Sequence, residues 1–292
     1  MDEQAEFDVA LLGCGNMGAA LGRAVLAGGR SLTAWNRSAE KAQSLERFGA
    51  RTASSAREAV GSARTTLACL STYEVLENVL EDADLPAGHT LINVTTGAPG
   101  DANRMSRWAD KQEVHYLDGA VLAFPEQIGG PECQLLVAGP LEVWESHREL
   151  VRSLGGASRH VSNDAHGANV LDIAGVGAFY GTSILAFIEA ARFVTASGVA
   201  VSEMVQLARQ LEEVLHAAQD QFAEALETGD FSTDQATIDV YHAGVGPFRD
   251  AISERLESAP MFEAATGLLK RGVEAGFGAQ SLYALFNLYR TR

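Results

Sequence analysis

The 292-residue sequence predicts an α/β N-terminal domain on a doubly wound, mostly parallel sheet, then one long interdomain helix and an all-α C-terminal domain. Three observations carry that expectation. From residue 7 to about residue 161, short apolar or β-branched runs alternate with helical patterns, as stacked βαβ units require. A glycine motif, Gly13-Cys14-Gly15-Asn16-Met17-Gly18, closes the first run and opens a helix rich in Ala and Leu. After residue 162 the strand-like runs stop and every remaining pattern is helical.

The strands are expected at 9–13, 32–36, 65–70, 90–95, 114–118 and 134–138; several are continuous apolar runs, as in sheets covered on both faces. Residues 166–196 contain no proline and read as one helix, apolar almost all round through Val170, Leu171, Ile173, Val176, Phe179, Ile184, Leu185, Phe187 and Ile188. A helix of that kind is covered on several sides, which points to packing against another subunit. Residues 202–226 form an amphipathic helix, Gly229-Asp230 breaks it, a helix over 233–258 is interrupted near Pro247, and 262–275 is helical before Gly276-Phe277-Gly278. The expected divisions are 1–162 for the α/β domain, 163–197 for the long helix and 198–292 for the helical domain, which is small enough to need a partner chain. The expected assembly is a homodimer.

Hydrophobic residues make up 47% and charged residues 21%, values of a folded globular chain rather than a disordered one. Acidic residues outnumber basic ones by 38 to 22, and the net charge of −16 repels phosphate backbones and anionic headgroups. Neither nucleic acid nor membrane is expected as a partner. Cys14, Cys69 and Cys133 form no CxxC pair, which argues against a disulfide framework and a zinc site and suits reduced thiols in a cytoplasmic protein. No basic segment precedes an apolar one at the N-terminus, and the longest apolar stretch, 173–193, is broken by Glu189 and Arg192.

GxGxxG is weak alone and informative between a strand and a helix. Gly13 permits the tight turn, Gly15 lets the backbone approach a pyrophosphate at the helix N-terminus beside Asn16 and Met17, and Gly18 allows close helix–strand packing. The second strand chooses the cofactor. NAD-binding proteins place an acid at its tip for the ribose hydroxyl, whereas here the strand ends Asn36-Arg37-Ser38, with Lys41 one turn on. These are donors for a 2′-phosphate, so NADP(H) is expected. Leu70 and Ser71 at the end of the 65–70 strand, and Asn93, Thr95 and Thr96 at the end of the 90–95 strand, complete the expected cofactor contacts, because ligands of open α/β sheets sit beyond strand ends. Asp118 is expected to cap a turn.

GCGNMG, WNRSAEK, Asn93-Val94-Thr95-Thr96-Gly97-Ala98-Pro99, Tyr116-Leu117-Asp118-Gly119-Ala120, Ile128-Gly129-Gly130-Pro131 and Gly229-Asp230-Phe231 together resemble the NADPH-dependent imine reductases and reductive aminases. The resemblance covers nearly the whole chain. It implies an N-terminal Rossmann domain, a long interdomain helix and a helical bundle exchanged between subunits, with the active site at the subunit interface. The related β-hydroxyacid dehydrogenases share that architecture and carry a lysine at the start of the long helix. This chain has only Lys41, Lys111 and Lys270, none of them there. The helix offers Asp172 and, eight residues later, Tyr180, in the order many imine reductases show. On an α-helix that spacing is a rise of about 12 Å and an offset of about 80°.

A carboxyl group suits imine chemistry because a protonated C=N is far more electrophilic than a neutral one, and because an acid can supply the proton or stabilise the cation. Asp172 is the only charged residue over 170–187, and lone acids on apolar helices are functional or very well paired. Tyr180 is expected to orient the substrate nitrogen or the carboxylate through its hydroxyl, with Leu122, Phe124, Val176 and Phe179 excluding water. Thr96 stands where many members of the family have Ser or Asn, and Leu122 where methionine is frequent. The expected reaction is reduction of an imine, or of a ketone and amine joined as one. The competing readings are a hydroxy-acid dehydrogenase and a noncatalytic NADP(H) sensor.

Overall fold

In the computed structural model, which describes residues 6–289, the first apolar run becomes β1 (Phe7–Leu12), from which the sheet grows in both directions. Val9 and Leu11 enter one core layer, Ala10 and Leu12 the other. That two-sided burial is why the run shows no polar alternation. β1 pairs in parallel with β2 (Leu32–Trp35) and β4 (Ala63–Ala68). Short β3 (Arg51–Thr52) extends the β2 edge, while β5 (Thr90–Asn93) and β6 (His115–Leu122) continue in parallel beyond β4. β7 (Gln134–Ala138) runs antiparallel to β6 and β8 (Arg159–Ser162) parallel to β7. The order is β3-β2-β1-β4-β5-β6-β7-β8, whose first six positions are those of a dinucleotide-binding sheet.

α1 (Asn16–Ala27) and α6 (Leu141–Leu154) cover one face, where Leu21, Val25, Trp144 and Val151 meet Leu11 and Leu67. α2 (Ala39–Gln43) follows β2. α3 (Ala56–Gly61), α4 (Tyr73–Ala83) and α5 (Pro99–Lys111) cover the other face through Val60, Leu76, Leu80 and Met105. Each of these fully buried side chains contributes about 1.5–3 kcal/mol. Caps set the helix starts: Ser55 Oγ accepts from Glu58 N–H at 3.1 Å and Thr72 Oγ1 from Val75 N–H at 3.2 Å. Cys14 and Cys133 are buried, Cys69 is half-buried, and all three are free thiols.

After β8 the chain is helical without a break through α7 (Gly167–Asp172), a π-helical stretch Ile173–Tyr180 and α8 (Gly181–Ala196). The single helix expected over 166–196 is present, but its middle has wider turns than an α-helix. The rise and offset expected between Asp172 and Tyr180 therefore do not apply. Gly175 and Gly177 lie in this stretch, where weak α-propensity makes the alternative winding inexpensive. An 18-residue window of the helix Gly167–Ala196 has a mean hydropathy of 1.6, so by length and composition alone the helix could cross a bilayer.

The chain divides within the π-helical stretch into two compact units, Met1–Ala178 and Phe179–Arg292. In the second, α8 packs on α9 (Val201–Thr228) and α11 (Pro260–Glu274), and α10 (Ile238–Ser253) packs on α11. Ile238, Leu269 and Ala284 form its buried centre, joined by Phe231, Val245 and Phe277. The helix expected over 233–258 begins only at Ile238, because Thr237 caps it by accepting from Val240 N–H at 3.4 Å. It also runs through Pro247 instead of breaking there.

Candidate active site

The glycine motif forms the turn between β1 and α1. Gly13 has φ +96°, and a Cβ there would lie 2.2 Å from the carbonyl oxygen of Cys69 in the loop after β4. A Cβ on Gly18 would lie 2.0 Å from the Gly13 oxygen. Both positions exclude any other residue, whereas Gly15 faces open space. No side chain caps α1, so the backbone donors of its first turn, around Asn16 and Met17, are left to a ligand. A glycine cradle opening on an uncapped helix N-terminus, at the point where the sheet order reverses, fits a pyrophosphate.

At the tip of β2 the expected donors separate into two kinds. Asn36 is spent internally: its Oδ1 accepts from Cys14 N–H at 2.9 Å and its Nδ2 donates to the Ser38 oxygen at 3.0 Å. It pins the two phosphate-side loops together. Arg37 and Lys41 are exposed, and among the described residues neither forms a salt bridge. Two exposed cations without a salt bridge among the described residues fit a 2′-phosphate.

The strand-end residues also divide. Asn93 and Thr95 are fully buried. Asn93 Oδ1 accepts from Thr95 N–H at 3.0 Å, and Thr95 Oγ1 accepts from Leu70 N–H at 3.1 Å. Their side chains shape the loops at the strand end where the cofactor contacts are expected. Thr96 and Ser71 are exposed and Leu70 is half-buried.

Asp172 is half-buried at the end of α7, and burial raises its pKa from the ordinary carboxylate value. Among the described residues its carboxyl has neither a hydrogen bond nor an ion pair. Tyr180 is 57% exposed and closes the π-helical stretch. Leu122 is half-buried, while Phe124, Val176 and Phe179 are exposed at 67%, 45% and 51%, so the expected apolar lining is not closed by the single chain. A cavity of about 460 Å³ in the helical unit is lined by Thr182, Glu189, Phe193, Leu256 and Phe262, and by none of the expected site residues.

The expectation that Asp118 caps a turn is overturned. It lies inside β6, completely buried. Its Oδ2 accepts from the hydroxyls of Tyr73 at 2.6 Å and of Tyr116, and from Asn93 Nδ2 at 3.3 Å, while Asn169 Nδ2 donates to the Tyr73 oxygen at 3.1 Å. Burial pushes its pKa up to about 6 against the pull of those donors. Tyr73, Tyr116 and Asn169 were not singled out from the sequence. The available signal was the i, i+2 spacing of Tyr116 and Asp118, which puts both on one face of a covered strand.

Residues 8–162 match the family described as the NAD binding domain of 6-phosphogluconate dehydrogenase, and residues 164–291 the C-terminal domain of the NADPH-dependent reductive aminase-like proteins. An NADPH-dependent reductive aminase of Aspergillus oryzae is 28% identical over 288 residues, covering 97% of both chains. A reductive aminase from Aspergillus terreus, solved with NADPH4, cyclohexanone and allyl amine, is 25% identical with a TM-score of 0.86, over 98% of this chain and 100% of that one. An imine reductase from Myxococcus stipitatus, solved with NADP+, is 26% identical with a TM-score of 0.87, over 96% of this chain and 99% of that one. With the cofactor half and the C-terminal half both matched, and the likeness running end to end, the chain belongs to the NADPH-dependent imine reductase and reductive aminase family.

Proposed function

We propose that the protein reduces imines to amines with NADPH, including imines formed from a ketone and an amine, and that Asp172 is the acid that acts on the C=N nitrogen. The observation that carries this reading is Asp172 itself. It is a half-buried carboxyl with a raised pKa and no partner among the described residues, on an apolar helix where the hydroxy-acid dehydrogenases carry lysine. Bound NADPH supplies the hydride that reduces the C=N carbon. The Gly13–Gly18 turn holds the pyrophosphate, Arg37 and Lys41 neutralise the 2′-phosphate, and Thr96 borders the nicotinamide side. Asp172 in its acid form gives its proton to the imine nitrogen, or as the anion stabilises the iminium. Tyr180 orients the nitrogen through its hydroxyl. A second copy of the chain covers Phe124, Val176 and Phe179, excludes water from the reacting atoms and completes the site. Three free thiols suit a reducing, cytoplasmic setting.

NADPH oxidation with a cyclic imine such as a pyrroline, run beside NADP+ reduction by a hydroxy acid, tests the reading; turnover is expected with the imine. Turnover with the hydroxy acid alone would overturn it in favour of a dehydrogenase, and tight NADPH binding with no turnover would indicate a sensor. In Asp172→Asn the neutral imine should react about 10²- to 10⁴-fold more slowly while NADPH affinity persists. A permanently charged iminium should lose less if Asp172 donates a proton, and as much if it acts through charge. Unchanged turnover of both substrates would remove Asp172 from the reaction.

A further inference from the structure

Asp118 is buried in β6, and among the described residues no cation pairs with it. Its Oδ1 is enclosed without a hydrogen-bond partner. A carboxyl so placed costs stability, and an apolar residue of similar shape would serve a purely structural strand better. What the carboxyl supplies is connection. The Tyr73 hydroxyl, in the first residue of α4, donates to Asp118 Oδ2 at 2.6 Å and accepts from Asn169 Nδ2 of α7 at 3.1 Å. Asn93, donating to the same Oδ2 at 3.3 Å, holds Thr95 N–H, and Thr95 in turn holds Leu70 N–H. A second tie reaches the start of the same helix from α5, where Asn103 Oδ1 lies 3.1 Å from His166 Nδ1. One buried chain of polar contacts thus joins the loop after β4, the end of β5, the middle of β6, the start of α4, and α7. Asn169 precedes Asp172 by three residues, about 4.5 Å along the helix axis.

We infer that Asp118, Tyr73 and Asn169 form a buried clamp of positioning residues that fixes α7, and with it Asp172, against the strand ends where the cofactor lies. The catalytic half of this inference rests on the imine reductase reading; the mechanical half does not. Because α7 touches the sheet through few large apolar groups, with Ala168 its buried apolar contact, the polar clamp carries much of its placement. A displacement of the order of an ångström at a reacting group costs about 10²-fold in rate.

Tyr73→Phe cuts the link between strand and helix and keeps the ring packing. It should lower kcat with a cyclic imine by about 10- to 100-fold while leaving NADPH affinity within about threefold. Asp118→Asn retains an acceptor oxygen for both tyrosine hydroxyls and should keep kcat within about threefold of wild type. In the cofactor-free protein, amide hydrogen exchange over 167–172 should speed up about tenfold or more in Tyr73→Phe and in Asn169→Leu, with exchange in β1 and β2 unchanged. Unchanged kcat and unchanged exchange in Tyr73→Phe would overturn the inference, as would a fall in kcat matched by an equal fall in NADPH affinity. If the wild-type protein reduces no imine, the functional reading fails, and the exchange measurement still decides whether the clamp holds α7.

Discussion

Arg37 stands exposed just past β2 and forms no salt bridge among the described residues, in the place where an NAD-binding sheet presents a carboxylate. Replacing it with Ala should remove a charge-assisted contact worth about 1.5–3 kcal/mol, or about 10- to 150-fold in NADPH affinity, and leave NADH binding nearly unchanged. Direct titration with both cofactors checks this; equal losses would make Arg37 a structural residue. Asp118 presents the opposite case, a residue whose surroundings dictate its chemistry. Its folded pKa of about 6 lies above the ordinary 3.8, so between those values the native state binds more protons than the unfolded chain. The contribution of Asp118 is therefore most favourable below about pH 4 and is lost as pH rises through about 6. Asp118→Asn does not titrate, so the stability of wild type relative to this variant should fall by on the order of 3 kcal/mol between about pH 4 and about pH 6.5. Denaturant unfolding across that range measures it, and a flat difference would mean that the carboxyl is not desolvated in solution. Arg37 was legible in the sequence because its meaning depends on position along one strand. Asp118 was not, because its neighbours Tyr73 and Asn169 lie 45 and 51 residues away.

At the scale of elements, Glu189 shows how one residue joins two helices. Its two carboxylate oxygens accept the backbone N–H groups of Met261 and Phe262 at 3.0 and 2.9 Å, across from α8 to the first turn of α11. The residue at the cap position of α11, Ala259, has no side-chain acceptor to offer, so Glu189 supplies the cap from another helix. Glu189→Ala should therefore cost about 1–2 kcal/mol, visible as a lowered melting temperature, with Glu189→Gln recovering part of the loss. In the sequence Glu189 reads only as an interruption of an apolar run. The same limit explains the two strands absent from the pattern. β3 has two residues and β8 is a partly exposed edge, and neither has the continuous apolar content that marks strands covered on both faces. The π-helical winding of Ile173–Tyr180 leaves no periodic trace either, since the residues there are apolar or glycine all round.

At the scale of the molecule, the helix Gly167–Ala196 sets the main expectation. Ile173, Phe179 and Leu185 are each half exposed in the single chain, and no residue in the most apolar part of the helix is fully buried. Apolar surface of that extent seeks cover, and a second copy is the expected occupant. Sedimentation at micromolar concentration should give a mass of twice 31.0 kDa. With −16 charges on each chain, dimerisation should strengthen as added salt screens the repulsion. A stable monomer under those conditions would remove both the dimer and the shared site.

The sequence alone determined the features that repeat along the chain: buried strands in alternation with helices, the glycine turn after the first strand, a long apolar helix, the absent acid beside Arg37 and the absent lysine at Asp172. Each is a local pattern, read within a few turns or one strand length. Only the tertiary structure decided that Asn93 and Thr95 turn inward, that Asn36 pins the Cys14 loop, and that Asp118 is held by two tyrosines instead of capping a turn. Hydrogen bonds between strand ends and helix starts depend on which elements the fold makes neighbours, and desolvation depends on what closes over a side chain. Neither quantity is carried by residue type or spacing along the chain.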